Sequence, residues 1–162
     1  MAIRAVFFDL GGTLFSYRGT RPHFDRVLDA LARAHGIDEP FEHVRAKYRA
    51  AMSAAGADYN ARPYYLHRDM FRAAYLGLLR AYGLEARDSE ALYEGQSEVG
   101  ARFVSLRPGV RETLATLRER GLHLGIVSNI DDDQFRAIWA QLGIDDFFHA
   151  TTTSEEARSC KP

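Results

Sequence analysis

A single cysteine, Cys160, is the only thiol in these 162 residues. One thiol excludes an internal disulfide framework and fits a reducing compartment, so a cytoplasmic location is expected. Long apolar runs are missing as well. No stretch approaches the length of a membrane span, and no charged segment leading into an apolar one opens the chain, so no membrane partner is expected. Lysine is scarce: the 21 basic residues include only Lys47 and Lys161, the rest being arginine. Against 22 acidic residues the net charge is −1, with no basic block, which argues against a nucleic-acid partner held by phosphate contacts. His23, His35, His43, His67, His123 and His149 show no metal-ligand spacing and read as surface or core histidines.

Apolar and aromatic residues are plentiful: 46% of the chain is hydrophobic, with 10 Phe and 8 Tyr, enough for a folded globular core. The most informative stretch is Val6 to Leu14, Val-Phe-Phe-Asp-Leu-Gly-Gly-Thr-Leu. Its apolar start suits a strand of a parallel sheet buried on both faces, with Asp9 at the carboxyl end, where reactive groups of such sheets sit. Backbone N–H groups of Leu10, Gly11, Gly12 and Thr13, with the Thr13 hydroxyl, are candidate donors to an anion.

Helical spacing of apolar residues predicts helices after a polar connector at 15–22. The first carries Phe24, Val27, Leu28 and Leu31 and ends at Gly36. The second runs from about Pro40 to Ala55, stopped by Gly56. The third runs from about Pro63 to Tyr82, and a fourth, weakened by Gly95 and Gly100, spans about Ser89 to Val104. An amphipathic helix then opens at Pro108-Gly109 and closes at Gly121. Leu122 to Val127 reads as a strand ending in Ser128-Asn129. The Asp131-Asp132-Asp133 run starts another helix, where acidic residues suit the dipole better than they suggest a metal site. Phe147 to Thr153 reads as a third strand, followed by a polar segment to Pro162. The expected fold is α/β: a doubly wound parallel-sheet core at 1–15 and 105–162, with an inserted all-helical cap at 16–104.

Asp9, Ser128-Asn129 and Lys161 fall in order at or just beyond three strand ends. With the Asp-x-x-Gly-Thr-Leu wording, Arg107-Pro-Gly-Val110 and Ser154-Glu155-Glu156 ahead of Lys161-Pro162, the whole chain resembles the haloacid dehalogenase-like hydrolase superfamily. The position of the helical insert resembles its subfamily with a cap after the first motif. The resemblance implies an enzyme in which Asp9 is the nucleophile and Ser128 and Asn129 hold the transferring group. Lys161 would offset the crowded anions. It also implies Mg²⁺, bound by the Asp9 carboxylate and the Gly11 backbone carbonyl.

Two departures qualify that reading. In phosphatases of this superfamily the position of Gly11 is a second Asp, which protonates the leaving oxygen and then activates water; glycine supplies no such group. Relatives without it include metal-independent 2-haloacid dehalogenases, which carry an aromatic residue there and need a cap-side arginine, for which Arg18 and Arg21 are candidates. Phosphonate-cleaving relatives use a cap lysine as a Schiff base, and Lys47 lies in the cap. The sequence given also stops at the third motif, before the acidic fourth motif that completes the metal site. It is therefore expected to be a truncated member, or one that completes its sheet as a homodimer or with a partner chain, because the first strand becomes an exposed apolar edge. The expected activity is that of a phosphatase of small phosphorylated metabolites with impaired turnover. A dehalogenase-type hydrolase and a non-catalytic fragment or association module are the alternatives. Tyr59, Tyr64, Tyr65 and Arg68 read as cap residues that either line a pocket or pack between helices.

Overall fold

The computed structural model describes residues 2–85 and 88–161, so Pro162 of the Lys-Pro pair lies outside the described residues. Its strands are β1 (Ala5–Phe8), β2 (Phe15–Ser16), β3 (Ser105–Leu106), β4 (His123–Ser128) and β5 (Ala150–Thr153). Its helices are α1 (Arg21–Ala34), α2 (Phe41–Asn60), α3 (His67–Ala81), α4 (Asp88–Phe103), α5 (Val110–Glu119), α6 (Asp132–Leu142) and α7 (Ser154–Ala157). None of the described helices is long and apolar enough to cross a membrane. The chain divides into two compact units, Met1–Gly19 with Gly100–Pro162, and Thr20–Val99.

The first unit is a doubly wound α/β core on a parallel sheet in the order β1-β4-β5. Phe8 pairs with Ile126, and Ser128 with Thr153. That register brings Asp9 and Ser128 to the same carboxyl edge, where a parallel sheet presents its reactive groups. Leu124 and Ile126 of β4 are 1% exposed and pack with Leu114 of α5 and Ile138 and Leu142 of α6. Burial of each such side chain stabilises by about 1.5–3 kcal/mol. Among the described residues β1 is an edge strand, and it is not buried on both faces: Val6 and Phe8 are half-buried while Phe7 is 67% exposed. The Phe7 ring lies over Gly125 of β4, where an added Cβ would come within 2.6 Å of it.

The stretch expected as a polar connector is more ordered than that. Phe15 is fully buried, β2 pairs antiparallel with β3, and Tyr17–Gly19 forms one turn of 3-10 helix. Two-residue strands are too short to display a period, so the pattern of residues does not reveal them. Likewise the end of the chain is not simply a polar segment: Thr153 caps α7, its Oγ1 accepting from the Glu156 N–H at 3.0 Å.

The second unit is helical. Leu28, Tyr75, Leu78 and Leu92 form its core, joined by Phe24 and Tyr48. α2 does not stop at Gly56 but continues to Asn60, since nothing there demands a left-handed backbone. α3 starts at His67 rather than near Pro63, after an extended Leu66. Gly77 of α3 faces Ala51 of α2, and Gly95 of α4 faces Val27 of α1, where an added Cβ would meet a methyl at 3.0 and 2.9 Å respectively. The glycines permit these close crossings.

Candidate active site

Three chain segments meet at the carboxyl edge of the sheet. Asp9 follows β1, Ser128 ends β4 and is 5% exposed, and Lys161 follows the α7 turn. Ser128 Oγ donates to Asp9 Oδ1 at 3.1 Å, and Lys161 Nζ donates to the same oxygen at 2.6 Å. Lys161 Nζ also donates to the Val127 carbonyl at 3.0 Å, so the ammonium is held on both sides. Among the described residues no hydrogen bond falls on Asp9 Oδ2. Asp9 and Lys161 are each more than a third exposed in their side chains, and the ion pair is therefore screened. Its significance is positional more than energetic.

The backbone around these groups is pinned. Asn129 Oδ1 accepts from the Lys161 N–H at 2.7 Å, and its Nδ2 donates to the Lys161 carbonyl at 3.4 Å. Its amide thus clasps the Lys161 backbone. Buried Ser154 Oγ accepts from the Ile130 N–H at 3.1 Å, and Glu155 Oε2 accepts from the Asp132 N–H at 2.8 Å. Asp132 also accepts from the Thr153 hydroxyl. The acidic run at α6 therefore ties β5 to the loop after β4. Asp131 occupies the N-cap position without a side-chain cap bond.

A cavity of about 250 Å³ opens here, lined chiefly by Asp9, Gly11, Tyr17, Ser128, Asn129 and Lys161. Tyr17 is the residue that sequence reasoning missed. Its hydroxyl lies 2.9 Å from where a Cβ on Gly11 would stand, with its ring carbons at 3.3 and 3.5 Å. Although Tyr17 is 48% exposed, desolvation of its hydroxyl, and then the Asp9 charge, push its phenol above the ordinary tyrosine range. No periodicity marks Tyr17; its position depends on the β2–β3 pairing and on an edge-to-face contact with buried Phe15, centroids 4.7 Å apart.

The other expected site residues are placed elsewhere or otherwise engaged. The Gly12 N–H donates to the Phe15 carbonyl at 3.0 Å, so one of the four expected backbone donors is spent. The Leu10 side chain is fully buried in the core. Thr13 is exposed and lines a separate cavity of about 230 Å³ with Phe8, Arg107 and Gly109. Arg18 is exposed on the 3-10 turn and is not among the residues lining the Asp9 cavity. Arg21 belongs to the helical unit, at the start of α1. Lys47 donates to Glu39 at 2.9 Å and lies over the Tyr82 ring, contacts that raise its pKa above the ordinary lysine range and oppose the neutral amine a Schiff base requires. Tyr59 and Tyr65 pack edge-to-face, with the Tyr65 hydroxyl donating to Asn60 at 2.6 Å.

Among the described residues no group of three or more His, Cys, Asp or Glu is placed to hold a metal ion. Mg²⁺ demands near-octahedral oxygen coordination. The cavity side chains offer it one carboxylate, and one oxygen of that group already faces the Lys161 ammonium. Asp9 and Gly11, the residues expected to bind Mg²⁺, both line this cavity and would supply only part of its coordination.

A model of the haloacid dehalogenase-like hydrolases matches residues 3–162. The chain belongs to that family. It is 29% identical over 168 residues to a ribulose-1,5-bisphosphate 5-phosphatase of Halopiger xanaduensis, covering 98% of this chain and 66% of that protein. Among solved structures it resembles the L-2-haloacid dehalogenase of Xanthobacter autotrophicus with chloropropionic acid covalently bound, at 26% identity and a TM-score of 0.64, covering 99% of this chain and 60% of that one. The HAD-hydrolase YfnB of Bacillus subtilis, bound to magnesium, shares the fold at 19% identity and a TM-score of 0.74, covering 100% and 70%. The chain thus spans about two thirds of the length of these relatives.

Proposed function

We propose that this haloacid dehalogenase-like hydrolase acts on small phosphorylated metabolites through an Asp9 nucleophile, with Thr20–Val99 as a cap that sets substrate choice. The observation that carries this reading is the Asp9 carboxylate at the sheet's carboxyl edge, bonded through one oxygen to both Lys161 and Ser128. With Oδ1 held, Oδ2 is the oxygen directed to attack. It displaces the ester oxygen from phosphorus, and water then cleaves the resulting aspartyl phosphate. Lys161 Nζ offsets the negative charge gathered at Asp9 and the phosphoryl group. The relative from Halopiger xanaduensis, a phosphatase, supports the phosphoryl class of substrate. A cytoplasmic location belongs to the same proposal and rests on the single cysteine.

Turnover on alkyl phosphate esters is expected to fall below the usual enzymatic range of about 1–10³ per second, because Gly11 offers no carboxyl group and any hydroxyl standing in for it is a weaker acid. Purified protein should release p-nitrophenol from p-nitrophenyl phosphate, and Asp9→Asn should abolish the release. No release by the parent, or release that survives Asp9→Asn, overturns the reading.

One observation favours a second reading. The Tyr17 ring stands over Gly11, supplying from a different position the aromatic group that the resemblance implies for 2-haloacid dehalogenases. That reading expects halide release from 2-chloropropionate in excess chelator. Its absence ends it.

A further inference from the structure

We infer that the Tyr17 hydroxyl serves as the proton donor and acceptor of this site, in the space that a carboxyl side chain at position 11 would need. The inference rests on the phosphatase reading above. Two features carry it. Tyr17 Oη is the atom nearest to a Cβ built on Gly11, at 2.9 Å, so residue 11 is small where residue 17 is large. The same ring borders the cavity that contains Asp9, Ser128 and Lys161. Tyr17 is 48% exposed and anchored on one side: Phe15, against which its ring packs, is fully buried, and β2 is hydrogen-bonded to β3.

The chemistry balances in two halves. Asp9 Oδ2 forms a bond to phosphorus while the bond from phosphorus to the ester oxygen breaks. The departing oxygen keeps the electron pair and takes the Tyr17 proton, leaving as an alcohol. An alkoxide is far more basic than a phenolate, so the transfer runs downhill. In the second half the phenolate takes a proton from water as that water attacks phosphorus. The bond from phosphorus to Asp9 then breaks, returning the carboxylate, the phenol and inorganic phosphate. Proton transfer by a positioned side chain typically contributes about 10²–10⁴ in rate.

A leaving group that needs no proton gains little from Tyr17, and this separates chemistry from packing. We would measure phosphate release from glycerol phosphate and from p-nitrophenyl phosphate for the parent protein, Tyr17→Phe, Gly11→Asp/Tyr17→Phe and Asp9→Asn. Tyr17→Phe keeps the ring and removes Oη. It should lose about 10²–10⁴ in kcat/KM on glycerol phosphate and less than about tenfold on p-nitrophenyl phosphate. The double variant places a carboxyl group where Oη was and should recover glycerol phosphate hydrolysis. Equal loss on both esters, or no loss on either, overturns the Tyr17 role while leaving Asp9 in place. If no turnover depends on Asp9, the phosphatase reading itself fails and this inference falls with it.

Discussion

Both hydrogen bonds to Asp9 arrive at one oxygen, from a hydroxyl at 3.1 Å and an ammonium at 2.6 Å. The carboxylate is therefore oriented, and the proposed reaction gives its two oxygens different tasks. Lys161→Met removes the ammonium and should lower Asp9-dependent turnover by about 10²–10³, the usual effect of losing one electrostatic donor. Asn129→Ala releases the Lys161 backbone instead. Of its two bonds the one at 3.4 Å is long and weak; the one at 2.7 Å, at a net worth of about 0.5–1.5 kcal/mol, sets the expected loss at about 2–10-fold. Steady-state phosphate release checks both, and an Asn129 effect as large as that of Lys161 would place Asn129 on the substrate rather than behind the lysine. At this scale the nearness of Asp9, Ser128 and Lys161 was legible, because one-residue signals at strand ends survive without knowledge of packing. The sequence was not informative for Tyr17. A side chain that reaches back over a residue six positions earlier is defined by the intervening turn, and no composition or spacing encodes that turn.

Among the elements, the longer helices were legible from their apolar spacing, while their ends and the two short strands were not. Propensity marked Gly95 and Gly100 as equal weaknesses in the fourth helix, yet they differ in the folded chain. Gly95 faces Val27, where an added Cβ would meet Cγ1 at 2.9 Å, whereas nothing stands within 4 Å of a Cβ at Gly100. Gly100→Ala should therefore stabilise by about 0.5–1 kcal/mol, the ordinary helical preference for alanine. Gly95→Ala should destabilise by about 1–3 kcal/mol, the usual cost of overpacking. Urea unfolding of the two variants measures the difference. Equal shifts of the same sign would mean that the α1–α4 crossing is looser than its spacing suggests.

For the molecule as a whole, the edge strand is the conspicuous liability. Among the described residues β1 pairs on one side only, with β4, and Phe7 and Ile3 are 67% and 76% exposed. Unpaired backbone and exposed apolar side chains on an edge favour association. We propose that a second copy of the chain covers this edge, so sedimentation at tens of micromolar should show a dimer that Phe7→Lys dissociates. A monomer at that concentration overturns the proposal. Fold class was readable at this scale because alternating strands and helices admit few arrangements.

The separation of β1 from its partner also bears on synthesis. β4, the neighbour of β1 among the described residues, begins at His123, more than a hundred residues after Phe8. At about 5–20 residues per second, a ribosome takes roughly 5–25 s to deliver it. Meanwhile the helices of Thr20–Val99, contiguous in the chain, emerge and can fold first. The nascent first strand must wait beside them with its aromatic residues uncovered, which makes it the segment a chaperone would meet. Asp9 then gains its lysine from 152 positions downstream, so this pair forms only after the whole of Thr20–Val99 has emerged.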